Sequence, residues 1–458
     1  MDAIADFAAH VTDTGYDDLP PAAVRAAKVF LLDSFGVALS GGNGPWVREM
    51  IDTAGLWGDG RGARVWGSGD WLPAPAAALC NAYQIHNAEF DCVHEGAVVH
   101  PMTVLLGAAM AAAERRGGVS GRTLIAAAVL GVDVACHIAV ASNAGLSFFR
   151  PGTAGALAAT AAIGKLAGFD GETLINAFSI AHAQMCGTMQ AHTEGSMLLG
   201  MQVGFNARNA VVACDMAGRG LQGPRGVLEG PFGFFRLFEG DYDRQRLLAG
   251  LGRLWRITEV SHKPFPSGRA THGIIDGCLR LKQTHGFTAE QVERIEAAVP
   301  PLIDHLVGRP VASDMALNYA RLCATYVAAH ALRHDGLGVD AYDAGALADP
   351  ATLALAERIA IRVDDNPDPN ALVPISLSIH LRDGGRHDLT VSDVYGSPAN
   401  PMSREAHLAK FRRNRAAAPK PIGEAAGETL IAAIDGLEEL DDVATLVDLL
   451  TPSDGAPA

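Results

Sequence analysis

Asn87-Ala-Glu-Phe-Asp-Cys-Val-His-Glu-Gly-Ala-Val-Val-His-Pro101 gathers two histidines and three carboxylates in a 458-residue chain whose charged residues make up only 19%. Met102-Thr-Val-Leu-Leu-Gly-Ala-Ala-Met-Ala-Ala-Ala-Glu114 follows at once. That run is rich in strong helix formers, and Pro101 suits a first helical turn, where a missing N–H breaks no intrahelical bond. His100 is therefore expected at a helix N-terminus. Unpaired N–H groups and the positive end of the helix dipole favour an anion there and disfavour an imidazolium. His100 is thus a candidate neutral proton-transfer group.

Outward from this stretch, residues 1 to about 255 read as successive helices. Pro20 to Gly42 begins with proline, carries apolar residues at helical spacing and stops at a glycine pair. Further helices are expected at 73–88, 101–116, 120–143, 153–168, 171–186 and 201–219, with glycines forming short joints. The texture changes near Arg256. A helix over 269–285 precedes strand-like segments at Arg294–Pro300, Arg358–Asp364 and Val373–Arg382, the last turning through Asp383-Gly-Gly-Arg386 into Asp388–Ser392. Helix is expected again over 403–450, followed by a frayed tail from Thr451 to Ala458.

Composition bounds the function. A net charge of −15 gives no basic face for nucleic acid or an anionic membrane, so an anionic ligand needs a local cationic pocket. Seven scattered cysteines without a C-x-x-C pair suit reduced, buried thiols and a cytoplasmic setting. The start, Met1-Asp-Ala-Ile-Ala-Asp-Phe7, lacks the basic-then-apolar order of a signal peptide. No membrane span is expected, because the apolar run 123–141 is interrupted by Asp133 and His137.

Three clusters carry candidate chemistry. Asp91, His94, Glu95 and His100 raise the question of a metal. However, His94 and His100 are six apart, about 240° round a helix, whereas helical chelation uses a spacing of four. No metal is expected; hydrogen bonding within a loop or proton transfer is preferred. Ser261-His-Lys-Pro-Phe-Pro-Ser-Gly-Arg-Ala-Thr-His272 sets Lys263 among turn residues, with Arg269 and His272 three apart on one helical face. These can bind carboxylates by charge-assisted hydrogen bonds. An apolar helix over Asn318–His330 carries Arg321 and Tyr326, where core tyrosine is the ordinary reading. No phosphate-loop or G-x-S-x-G pattern is present.

Together these clusters resemble the MmgE/PrpD family, which includes 2-methylcitrate dehydratase, cis-aconitate decarboxylase and iminodisuccinate epimerase. The resemblance rests on Leu31-Leu-Asp-Ser-Phe-Gly-Val-Ala-Leu-Ser-Gly41, Phe90-Asp91 through His100-Pro101, Leu228-Glu-Gly-Pro-Phe-Gly233, Lys263-Pro-Phe-Pro266 with Thr271-His272, and Asn400-Pro-Met402 with Lys410-Phe411. It implies a mainly α fold: an all-helical domain formed by both chain ends, with a smaller α+β domain inserted. The expected boundaries are 1–257 for the helical domain, 258–402 for an α+β lid domain and 403–458 for a helical return onto the first. A homodimer acting on a small di- or tricarboxylate, without metal or organic cofactor, is implied as well.

The family signature Asp-Phe-Asp-Asp-Thr reads Glu89-Phe-Asp-Cys-Val93 here, so Asp91 and His100 remain. A family histidine before Pro-Thr is replaced by Arg150, a lysine associated with the decarboxylase by Leu199, and a nearby histidine by Gln202. Lys263, His272 and Tyr326 match. The resemblance implies His100 as base or acid, Asp91 as orienter of a histidine, Lys263 and Arg269 as carboxylate clamp, and Tyr326 as hydroxyl donor. His94 and Arg150 stand in for lost partners, and His272 and Gln202 line the substrate site. The preferred activity is a hydro-lyase resembling 2-methylcitrate dehydratase, by proton abstraction next to a carboxylate. An isomerase or epimerase follows, then a decarboxylase, and a non-catalytic carboxylate-binding protein forms a separate class.

Overall fold

The structure is a computed structural model, and it describes residues 2–368 and 371–452. The fold is mainly α, with a small sheet. Two compact units are present: Met1–Met189 with Leu198–Val260 and Arg404–Ala458, and Gln190–Met197 with Ser261–Ser403. The sequence held no signal that 190–197 would group with the second unit. Asn318 donates to the Ser196 carbonyl at 3.2 Å, and the Gly195 backbone packs against Tyr319 there.

In the first unit the longer helices are α1 (Ile4–Asp13), α2 (Pro21–Gly41), α3 (Val47–Gly55), α4 (Ala74–His86), α5 (Pro101–Arg116), α6 (Gly121–Val140), α7 (Arg150–Ala167), α8 (Gly171–His182) and α9 (Leu198–Ala217). Prolines sit in the first turns of α2, α4, α5 and α7, and the Ser120 and Asp170 side chains cap α6 and α8. The unit is not purely helical, because Ala63–Arg64 pairs antiparallel with Trp71–Leu72. Helix α6 is long and apolar enough to cross a membrane by length and composition, yet 94% of its apolar window is buried within the protein. Its Asp133 contacts His10 at 3.1 Å and accepts from the Arg256 amide at 2.7 Å, which offsets the burial of a charge.

Helix α8 ends at His182 although helix was expected to 186. Three side chains on one face of α9, spaced four and three apart, take the backbone that leaves it. Asn209 donates to Gln184 O at 2.7 Å, Asn206 to Cys186 O at 2.8 Å, and Gln202 accepts from Thr188 N at 2.6 Å. These amides replace the bonds that another helical turn would supply. Helix α2 meets α4 so closely that a Cβ on Gly41 would fall 1.9 Å from the Gln84 carbonyl oxygen, so only glycine fits there.

In the second unit, α10 (His272–His285) packs on a sheet of β1 (Val292–Val299), β2 (Ile359–Val363), β3 (Ile375–Leu381) and β4 (Arg386–Val391). The spatial order is β2-β1-β3-β4, with β1–β2 parallel and the other pairs antiparallel. Alternation along β3 buries Ile375, Leu377, Ile379 and Leu381 on one face, as a half-covered sheet requires. The single helix expected over Asn318–His330 is two, α11 (Leu317–Arg321) and α12 (Ala324–His334). It breaks at Cys323, whose backbone bridges to Gly308 and whose thiol reaches the Arg309 carbonyl at 3.4 Å.

The chain then returns to the first unit as α13 (Arg404–Ala416), α14 (Glu424–Asp435) and α15 (Thr445–Leu449). The fraying expected toward Ala458 falls, from 453 onward, outside the described residues. All seven cysteines are free, and all but Cys186 are buried.

Candidate active site

His100 is the N-cap residue of α5, and the Thr103 amide closes the first turn onto its carbonyl at 3.2 Å. The segment before it is neither helix nor plain coil. His94 and Val99 pair as an antiparallel bridge, and the Val98 amide bonds to the Glu95 carbonyl, so residues 94–99 form a tight reversal. The two arms of that reversal carry Asp91 and His100. Nδ1 of His100 consequently lies 3.2 Å from Oδ2 of Asp91.

The same carboxylate oxygen takes two further contacts: Nδ1 of His86 at 2.8 Å and the Thr103 hydroxyl at 2.5 Å. His86 is the last residue of α4, and sequence reasoning placed it in a helix and assigned it no role. The available signal was a histidine in a helix's last turn, five residues before an aspartate. The two imidazoles meet edge to face with centroids 4.8 Å apart. Asp91 is fully buried; burial pushes its carboxyl up, but the His100 and His86 rings outweigh that and hold it well below the usual carboxylate range. An ionised carboxylate only accepts, so His86 donates to it from Nδ1, while His100 Nδ1 stands at ion-pair distance from the same oxygen. On its other side His86 Nε2 lies 3.7 Å from Glu89 Oε1. The His100 side chain keeps 13% exposure, against 2% for His86.

One ligand atom each from His86, Asp91 and His100 lie within 4.8 Å of one another, a set able to hold a metal ion. The 2.8 Å contact from His86 is a hydrogen bond, and the 3.2 Å contact from His100 is an ion-pair distance. An ion held at about 2.0–2.2 Å by all three would replace those contacts. The set weighed from the sequence, Asp91, His94, Glu95 and His100, is not the one that gathers. His94 instead donates from Nε2 to Glu259 at 3.1 Å and accepts the Ala97 amide at Nδ1, also at 3.1 Å. Glu259 is held down to about 2, first by that His94 bond and, against burial, by Arg256.

Two other assignments change. Arg150 grips the buried Glu239 through Nε at 3.0 Å and Nη2 at 2.7 Å, and donates to Ala97 O at 3.2 Å, Ser142 Oγ at 3.2 Å and Ala144 O at 3.3 Å. Its guanidinium therefore braces the 97 and 142–144 segments rather than standing open for substrate. Gln202 uses both ends of its amide on the Thr188 backbone, at 2.6 and 3.2 Å.

The remaining candidates lie in the second unit. Lys263 and His272 are fully buried, and Arg269 nearly so. Nη1 of Arg269 donates to Tyr395 O at 2.8 Å and His262 O at 3.2 Å, and lies 3.4 Å from His272 Nδ1. Nε2 of His272 faces Ser267 O at 3.2 Å. A carbonyl can only accept and a guanidinium only donate, so His272 carries its hydrogen on Nε2. The pair expected on one helical face does meet, but Arg269 holds loop carbonyls. Tyr326 is a core residue whose hydroxyl donates to Ala341 O at 2.6 Å, and burial raises it, so the hydroxyl-donor role loses its geometric support.

A sequence model of the MmgE/PrpD N-terminal domain matches residues 5–246, and one of the C-terminal domain matches 265–435. The chain belongs to the MmgE/PrpD family. Among curated relatives, cis-aconitate decarboxylase of Mus musculus is 26% identical over 467 residues, covering 97% of this chain and 92% of that protein. The Homo sapiens enzyme of the same name is 26% identical over 445 residues, covering 93% and 90%. The one from Aspergillus terreus is 30% identical over 285 residues, covering 59% and 58%. Relatives in this MmgE/PrpD group are enzymes named for a small carboxylate. Its C-terminal domain match runs into α14, so it joins chain from both units.

Proposed function

We propose that this protein is a lyase that removes water from a hydroxylated di- or tricarboxylate, with His100 as the group that takes the proton next to a carboxylate. The observation that carries the reading is the Asp91 oxygen shared by the Nδ1 atoms of His86 and His100. Asp91 fixes the tautomer and stabilises the imidazolium that forms, as a carboxylate behind a histidine does in acyl-transfer enzymes. His100 caps a helix N-terminus, which favours the neutral ring and so a base. His86, 2.8 Å from Asp91 and 3.7 Å from Glu89, holds the Asp91 carboxylate from the other side. His100, holding the proton it has taken, passes that proton to the leaving hydroxide, so that water departs and the base is restored. Lys263 is assigned to substrate carboxylate binding on family likeness alone.

Decarboxylation is the second reading, favoured by the names of the relatives. Against it, Leu199 is a buried aliphatic residue and Gln202 is committed to Thr188, so neither supplies the charge that a departing carboxylate needs.

Proton NMR in deuterated water, with citrate, 2-methylcitrate, cis-aconitate, malate and aspartate-derived acids, separates the readings. New vinylic signals from a hydroxy acid support the hydro-lyase. Carbon dioxide release with loss of one carboxylate moves the protein to the second reading. Deuterium entering an α position without elimination replaces both with an isomerase. An unchanged panel removes the lyase proposal for these acids and promotes the carboxylate-binding class.

A further inference from the structure

Lys410, on α13, is fully enclosed by the first unit, an unusual place for an ammonium. Three features surround it. Oδ1 of Asp33, on α2, lies 2.8 Å away; the Phe90 carbonyl accepts from it at 2.9 Å; and the Phe90 ring lies 4.0 Å from Nζ to centroid. The ion pair with Asp33 offsets the burial of one charge by another. It does not account for the other two contacts, both of which fall on the residue immediately before Asp91.

That segment needs an external hold. Glu89 has φ +51°, a left-handed conformation that is unfavourable for a non-glycine residue and persists only where surroundings impose it. Asp91 must then leave Phe90 in the one direction that sets Oδ2 between two imidazoles. We propose that Lys410 is a positioning residue: by clamping the Phe90 carbonyl and ring, it fixes the Asp91 carboxylate against His86 and His100. Asp33 offsets the burial of the lysine's charge, and an uncharged amine still donates to the Phe90 carbonyl when Asp33 is gone. The proposal rests on the reading of Asp91 as the shared partner of two working histidines, but its test does not require the substrate to be known.

Replacing Lys410 alone strands Asp33, so the informative variant is Asp33→Leu with Lys410→Met, which removes the charges together and is often tolerated in a core. The comparison variant is Asp33→Asn, which keeps the Lys410 bond to Phe90. Histidine is labelled with carbon-13 at Cε1, the His86 and His100 signals are assigned by their loss in single glutamine variants, and each is followed against pH. In the double variant both midpoints are expected to move by half a unit or more, turnover to fall at least tenfold and KM to stay within twofold. Asp33→Asn is expected to stay near wild type. Native titration curves in a folded double variant overturn the proposal, as does an equal disturbance by Asp33→Asn. If the double variant does not fold, Asp33→Asn with Lys410→Gln gives the same comparison. A wild-type protein inert toward every acid removes the lyase reading, while the titrations still decide the role of Lys410.

Discussion

Oδ2 of Asp91 lies 2.8 Å from Nδ1 of His86, joining the last turn of α4 to the loop that follows it. His100 approaches the same oxygen at 3.2 Å, so one atom orients two rings. Asp91→Asn keeps the size and removes the charge. Turnover is expected to drop by about 10²–10⁴, the range associated with losing an acid–base group or its orienting carboxylate. An unchanged rate in the NMR assay would remove Asp91 from the chemistry.

His100 and His86 are expected to separate in kinetics. His100→Gln should lower turnover at least about a hundredfold while the melting temperature moves by only a few degrees. His86→Gln should cost less in rate and shift one limb of the pH–rate profile, because its ring is sealed and acts through its neighbour. Parallel loss of rate and stability in His100→Gln would mark a structural histidine.

Arg150 gives the opposite pattern. Arg150→Met leaves Glu239 buried without its cation, which is expected to destabilise the fold by roughly 3–5 kcal/mol. KM should hardly move in the protein that remains folded. A large rise in KM at an unchanged melting temperature would restore Arg150 to substrate binding.

His137 sets an acid limit on stability. Burial, helped by Arg256, pushes its imidazole from 6.5 down to about 4. The folded state therefore disfavours the proton that the unfolded chain accepts. The stability is whole above about pH 6.5 and is lost as pH falls toward about 4, below which it levels off. A difference of 2.5 between those values corresponds to on the order of 3 kcal/mol. His137→Leu should flatten that part of the melting-temperature profile, and an unaltered slope would assign it to other groups.

Much of the helical plan was legible because proline starts and apolar periodicity are local. Pro101 and the alanine-rich run after it fix α5 without reference to any other part of the chain. The strands at 359–363 and 375–381 announced themselves by alternation. The break at Cys323 was hidden, since the bridge to Gly308 that causes it is tertiary. The early end of α8 was hidden too, because it depends on amides from α9. At the site, Asp91 and His100 were readable from the loop, but His86 looked like an ordinary helix terminus. Arg150 and Tyr326 looked available because Glu239 and the Ala341 carbonyl lie 89 and 15 positions away.

The contact between Lys410 and the Phe90 carbonyl spans 320 positions of chain. A ribosome that has just released the Asp91 loop still has most of the protein to make, including all of Ser261–Ser403, before α13 emerges. Until then Asp33 and the Phe90 carbonyl have no ammonium to meet. The nascent chain can build its helices early, yet the loop that carries Asp91 waits for nearly the last elements to be translated. On the proposed role of Lys410, synthesis order puts the last support of the Asp91 loop close to the end of translation.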